Sequence, residues 1–113
     1  MTAPIHGNLG SVSPGAATAA DLYNGGAVPA SRKATGTLTV CNTNGTEVTI
    51  RFAIVNGAIG TVTTEDYREY ETTVAARGVL EKTAIPVAAG YHLLVHASAT
   101  GVAFNFDGIE EDA

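Results

Sequence analysis

The sequence has little of what most binding and catalytic sites use: one cysteine, no tryptophan, four tyrosines and three phenylalanines in 113 residues. The single cysteine, Cys41, excludes a disulfide within the chain, and its place in an alternating segment predicts a small, partly buried residue. The many Ala, Gly, Thr and Val residues are typical of thin β layers, not of helical bundles. The length fits one domain that buries its own core without covalent staples.

Positive charge is also scarce. Six Lys and Arg residues face eleven Asp and Glu residues, which gives a formal charge of −5, and the cations form no cluster. Nucleic acids and anionic membranes both attract clustered cations, so we expect neither as a partner. The first residues lack the charged and apolar regions of a signal peptide, and no apolar run approaches the ~20 residues of a membrane span. We expect a protein made in the cytoplasm without an export signal of its own.

The segment from Gly36 to Ile54 is the strongest structural signal. Alternation from Thr37 to Asn42 predicts a strand, Asn44-Gly45 predicts a tight turn, and apolar residues then recur at period two. These apolar residues are Val48, Ile50, Phe52 and Ile54. The segment therefore predicts a β-hairpin with one face in the core.

Further strands are predicted at Tyr67–Val74, Val79–Ile85, Tyr91–Ser98 and Val102–Phe106, separated by turn residues. Neither face of the predicted strand Tyr67–Val74 is cleanly apolar, which favours an edge strand. Pro86 limits the second strand to an edge or an end, and the third is apolar enough for a central strand. Six or seven strands and no amphipathic helix predict an all-β fold, a single antiparallel β-sandwich of immunoglobulin-like or jelly-roll-like strand order.

Residues 1–20 are rich in Gly, Ala, Ser, Thr and Pro and show no sustained period. Such a segment buries too little apolar surface to order by itself, so we expect an extended N-terminal arm followed by a β-sandwich domain at residues 21–113. Ile5, Leu9 and Val12 are spaced anchors by which the arm would bind a neighbouring subunit.

No pattern predicts catalysis, a metal site or a cofactor. His92 and His96 on one strand would stand ~13 Å apart, too far to share an ion. Glu69 and Glu71 are predicted to share a strand face, but nothing else builds a sugar cleft beside them. Asn44-Gly45-Thr46 matches a glycosylation acceptor, yet serves better as the hairpin turn. The glycines do not reproduce a phosphate-binding spacing, and we expect no small-molecule ligand.

Several short segments together resemble small virion structural proteins of tailed bacteriophages, over about residues 21–111. The segments are Asp21-Leu22-Tyr23, Val28-Pro29-Ala30, Arg32-Lys33-Ala34, Leu38–Asn42, Val48–Arg51, Tyr67–Tyr70, Gly78–Thr83, Val95–Ser98, Gly101-Val102 and Gly108–Glu111. The resemblance implies a compact β-sandwich present in many copies on a capsid or tail, with no enzymatic role. This chain departs from the family's pattern at two places, because Asn24–Ala27 and the arm are additional residues.

From this resemblance we expect a capsid decoration, or cement, protein in the virion, a homotrimer bound to the major capsid protein. Ile5, Leu9 and Val12 would dock on the shell, and Tyr67 and Tyr70 would lie at an inter-subunit face. Deleting residues 1–20 would then abolish docking without unfolding the domain. A tail, baseplate or neck protein is the alternative within the same class, and a carbohydrate-binding adhesion module is the alternative of another class.

Overall fold

The computed structural model describes residues 3–113 and contains eight strands. These are β1 (Ile5–Val12), β2 (Ala20–Asp21), β3 (Arg32–Asn42), β4 (Val48–Asn56), β5 (Tyr67–Val74), β6 (Val79–Val87), β7 (Tyr91–Ala97) and β8 (Val102–Asp112). They form two antiparallel sheets of four strands. Sheet A has the order β1-β8-β3-β6 and sheet B has the order β2-β7-β4-β5. The all-β prediction is confirmed.

One hydrophobic core lies between the inner faces of the two sheets. Leu38 and Phe104 from sheet A meet Phe52 and Val95 from sheet B, and all four side chains are fully buried. Alternation explains this burial, because side chains two residues apart point to the same face of a strand. The predicted inward residues of β4 are all buried, as are Val102, Phe104 and Phe106 of β8.

The predicted hairpin is wrong, because β3 and β4 belong to different sheets. β3 is paired with β6 on one side and β8 on the other, so no edge is left for β4. Residues 43–47 instead cross from sheet A to sheet B. Asn42 holds this crossing, since its side-chain amide donates to the carbonyl oxygens of Thr46, Val74 and Ala75 at 2.9 to 3.3 Å.

The expected N-terminal arm is also corrected, since residues 5–12 are strand β1, paired along β8. Leu9 is buried in the core at 3% exposure and Val12 packs against it, whereas Ile5 is 48% exposed. A register shift between Asn8 and Gly10 interrupts the alternation, which is why no strand was visible in the sequence. Residues 20 and 21 lie in β2, within sheet B, so the expected boundary between arm and domain falls inside a strand. Met1 and Thr2, the first residues of the expected arm, lie outside the described residues.

The connection from β4 to β5 contains two short 3₁₀ turns, Ile59–Thr61 and Thr64–Asp66. Ile59 and Val62 of this connection pack on the outer face of sheet B, together with Tyr67, against a second buried cluster of Ala53, Val55 and Leu94. Sheet B is therefore apolar on both faces along part of β4 and β7.

Candidate interaction surface

The edge strand β5 contains a bulge that sorts its side chains between two faces. Glu71 has φ of +52°, and the register with β4 shifts twice around Phe52. Glu69 consequently faces the other sheet, where it accepts hydrogen bonds from Thr72 at 2.8 Å and Lys82 at 3.3 Å. Glu71 turns to the outer face. The prediction that these two glutamates share a strand face is therefore wrong, and no carboxylate pair forms here.

The bulge brings Tyr67 and Tyr70 together on the outer face of sheet B. Their rings meet edge to face with centroids 4.9 Å apart, and the Arg51 guanidinium carbon lies 4.6 Å from the Tyr70 centroid. Tyr70 is 57% exposed although it is held by these neighbours. Thr64 lines a shallow groove with the two tyrosines. We call Arg51, Thr64, Tyr67, Tyr70 and Glu71 the tyrosine surface.

Arg51 and Glu71 form an ion pair at 2.8 Å on the tyrosine surface. The hydrogen bond between them raises the pKa of Arg51 and lowers the pKa of Glu71, so both stay charged at neutral pH. Arg51 is also the cross-strand partner of His96. Arg51 Nε and His96 Nδ1 are buried and lack a hydrogen-bond partner within the described part of the chain. The Arg51–Glu71 ion pair thus holds the Arg51 guanidinium beneath the exposed ring of Tyr70. Arg51 Nε and His96 Nδ1 each remain able to form a further hydrogen bond.

The two histidines of β7 lie on the outer face of sheet B, opposite Val55 and Arg51 of β4. His92 Nδ1 lies 2.7 Å from Asp21 Oδ1, and this pair joins β7 to the short edge strand β2. Among residues 3–113 no group of three or more His, Cys, Asp or Glu residues is arranged to hold a metal ion.

A buried ion network at one end of the molecule was not foreseen from the sequence. Arg32 Nε donates to Glu110 Oε2 at 3.0 Å and Arg32 Nη1 donates to Asp112 at 2.9 Å. The Tyr23 hydroxyl donates to Glu110 Oε1 at 2.5 Å, and Arg32, Glu110 and Tyr23 are all buried. Burial and then the Glu110 carboxylate raise the pKa of Tyr23. The inward alternation of β3 and β8, continued to the ends of both strands, would have identified Arg32 and Glu110 as inward-facing residues.

The outer face of sheet A differs in character. Thr35, Thr37 and Thr39 of β3 lie beside Asn105 and Asp107 of β8, and we call these five residues the polar face. Two residues of β1 donate hydrogen bonds to the polar face. Asn8 Nδ2 donates to Asp107 at 2.9 Å, and Ser11 Oγ donates to Asn105 at 2.6 Å. The polar side chains of β1 and β8 therefore hydrogen-bond to one another on the outer surface of sheet A.

Each of the four strands at the sheet edges is short or interrupted. β2 has two residues, β1 contains Gly7 at φ of +115°, and β5 contains the bulge at Glu71. β6 contains Ala84 at φ of +56° and Pro86, in agreement with its predicted edge position. Interrupted edges resist pairing with a strand of another chain, so contacts between molecules would use side chains and not backbone strand pairing.

In the part of the chain that the structure describes, no helix is long and apolar enough to span a membrane. Comparisons of the chain with family models, with curated proteins and with solved structures find no match.

Proposed function

We propose that this protein is a virion structural protein of a tailed bacteriophage, and specifically a capsid decoration protein that binds and stabilises the assembled head. The observation that carries the proposal is the strand order of the two sheets, taken with the resemblance of residues 21–111 to small virion proteins. The function so assigned is assembly, not catalysis.

The strand order supports the jelly-roll alternative for the fold. The first strand pairs with the eighth, the second with the seventh, the third with the sixth and the fourth with the fifth. Such a ladder is one long antiparallel ribbon wrapped into two sheets, and the wrapping adds the β3–β8 and β4–β7 pairs. Jelly rolls form many viral capsid domains and also lectin domains. Because fold alone does not fix function, the order supports the proposal only beside the resemblance.

The tyrosine surface is the proposed contact between copies in a homotrimer. Tyr and Arg are enriched where protein interfaces gain most of their binding energy, and Tyr70 combines exposure with a fixed position. In a closed trimer each interface joins two different faces, so the tyrosine surface of one copy would contact another face of the next copy, with Arg51 and Glu71 offering charges of both signs.

Shell docking is proposed at the N-terminal end of β1, and the structure narrows the residues available. Leu9 and Val12 are committed to the core, so Ile5 is the expected anchor that remains exposed. A small protein that bridges neighbouring subunits binds the assembled lattice and not free capsid protein. Its binding therefore stabilises the shell by mass action, and several contacts per trimer raise the effective affinity.

The test is the copy number of the protein in purified particles, measured by quantitative mass spectrometry against the major capsid protein. A copy number comparable with that of the major capsid protein is the expected result. Small multiples of three or six would move the protein to the tail, baseplate or neck. Absence from particles would overturn the virion assignment.

A carbohydrate-binding module is the second candidate, and the polar face is the observation that favours it. Asn105 and Asp107, with Asn8 and Ser11, present amide, carboxylate and hydroxyl groups on an open surface of a lectin-compatible fold. Binding of the isolated protein to a glycan array, abolished by Asp107→Ala, would favour this candidate over the first.

A further inference from the structure

The chain contains three Asn-Gly dipeptides, at Asn24-Gly25, Asn44-Gly45 and Asn56-Gly57. The same dipeptide lies in three different surroundings, so its chemistry should differ from one position to the next. We propose that Asn24 is a site of spontaneous deamidation, that the fold protects Asn44, and that Asn56 reacts at an intermediate rate.

The reaction needs only water. The backbone nitrogen of the glycine attacks the side-chain amide carbon of the asparagine, forming a C–N bond and a five-membered succinimide. The bond from that carbon to Nδ2 breaks, and Nδ2 leaves as ammonia with the proton from the glycine amide. Water then opens the ring at either carbonyl and leaves aspartate or isoaspartate. Glycine favours the attack because it has no Cβ to crowd the ring and a flexible backbone.

Asn24 is exposed and stands in a turn, and its backbone N–H donates to the Leu9 carbonyl oxygen at 2.9 Å, which holds the backbone of Asn24 but not its side chain. The N–H of Gly26 donates to the Tyr23 carbonyl oxygen at 2.9 Å, and Gly25 has φ of +80°, as at the third position of a type II turn. The hydrogen bond of the turn thus uses the nitrogen of Gly26, not that of Gly25, the attacking atom. A Cβ built on Gly25 would meet no atom within 4 Å, so the succinimide has room to form.

Three hydrogen bonds hold Asn44 in place. Its Nδ2 donates to the Thr100 carbonyl oxygen at 2.8 Å and its backbone N–H donates to Asn42 Oδ1 at 3.0 Å. Its carbonyl oxygen accepts from the Arg77 backbone N–H at 3.0 Å. Turning the side chain toward the Gly45 nitrogen breaks the bond to Thr100, so reaction at Asn44 requires local opening.

Asn56 lies between these extremes. It is the last residue of β4 and pairs with Tyr91 in sheet B, but its side chain is exposed. Gly57 follows the strand with φ of +115°. One strand partner fixes the Asn56 backbone, and its side chain remains accessible.

Deamidation at Asn24 would add a carboxylate to the turn that packs against His92. A Cβ on Gly26, in the same turn, would lie 3.6 Å from the His92 ring, so the turn packs close to that histidine. Isoaspartate would also lengthen the backbone between the buried residues Tyr23 and Val28. The modified protein therefore carries one more negative charge and a loosened turn at the β2 edge.

The experiment follows the purified full chain during incubation at mildly alkaline pH, both native and unfolded in urea, with peptide mapping by mass spectrometry. In the native chain we expect Asn24 to convert first and Asn44 to lag by about tenfold or more, as a local opening step requires. In urea all three should convert at similar rates, because only the dipeptide then matters. The Asn24→Gln variant should remove the first charge variant seen on isoelectric focusing.

Two results would overturn the proposal. Conversion of Asn44 or Asn56 in the native chain as fast as Asn24 would contradict the protection assigned from the fold. An Asn24 that stays intact in the native chain while the urea sample reacts would remove the site altogether.

Discussion

The outer faces of the two sheets differ in chemical character, although their inner faces share one core. The outer face of sheet A is polar along β1, β3 and β8, where side chains of β1 and β8 hydrogen-bond to one another, as between Ser11 and Asn105. The outer face of sheet B is apolar enough to need the 56–66 segment as a cover, and beyond that cover it continues as the tyrosine surface. A face that hides only part of its apolar area is suited to a protein partner.

The contrast between the outer faces depends on β1 being the fourth strand of sheet A, and the Leu9→Ala variant tests this. Removing this buried side chain from β1 should lower the free energy of unfolding by about 2–5 kcal/mol, since its cavity lies in the shared core. Ile5→Ala in the same strand should change it by no more than about 0.5 kcal/mol, because Ile5 is exposed. Urea unfolding followed by circular dichroism measures both. Equal small effects would return β1 to the role of a detachable arm.

Tyr70→Ala sharpens the contrast between the outer faces. If sheet B carries the contact between copies, losing this ring should weaken self-association by about 2 kcal/mol, roughly thirtyfold in dissociation constant, with little change in stability. Val79→Ala is the matched control, since Val79 is 62% exposed on the opposite outer face beside Cys41. Sedimentation equilibrium over a concentration series compares the three proteins. A larger effect of Val79→Ala would move the interface to sheet A.

Tyr23 and Glu110 tie the two sheets together at one end, because Tyr23 follows β2 and Glu110 lies in β8. The folded state holds Tyr23 protonated and raises its pKa, so this stabilisation is complete below the ordinary tyrosine value of about 10 and is lost as pH rises above it. Tyr23→Phe should cost about 1 kcal/mol at neutral pH.

The same variant should flatten the alkaline loss of stability. Thermal unfolding of both proteins from neutral pH to beyond pH about 10 checks this. Parallel curves would mean that another group governs the alkaline limb.

Period-two alternation made the inner faces predictable from sequence, because an inward row such as Val48 to Ile54 is a local property of one strand. Strand partners were not predictable in the same way. The Asn44-Gly45 signal is local, whereas β3 finds its partners β6 and β8 far along the chain. Bulges caused the other errors, at Asn8 in β1 and at Glu71 in β5, since one extra residue reverses which side chains face the core.

The sequence predicted that Tyr67 and Tyr70 belong to an interaction surface, but not how their rings are arranged. Tyr67 and Tyr70 were singled out, but simple alternation put them on opposite faces, and only the bulge explains their contact. Arg51 is assigned to the outer face of β4 by the same alternation that buries Phe52. Its partnership with Tyr70 depends on the β4–β5 register, which the sequence does not encode locally.

The smallest effect expected is that of Glu71→Gln, which removes the ion pair beneath Tyr70. The folded state lowers the pKa of Glu71, so its stabilisation is present above the ordinary value of 4.5 and is lost as pH falls through the lowered one. The variant should therefore unfold at a slightly lower temperature than the parent at neutral pH and at the same temperature in strong acid. Glu81→Gln, on the outer face of sheet A opposite Thr39, is the matched control. If both variants behave alike, the Arg51–Glu71 pair contributes nothing particular to sheet B, and the orientation of Tyr70 would rest on its contact with Tyr67 alone.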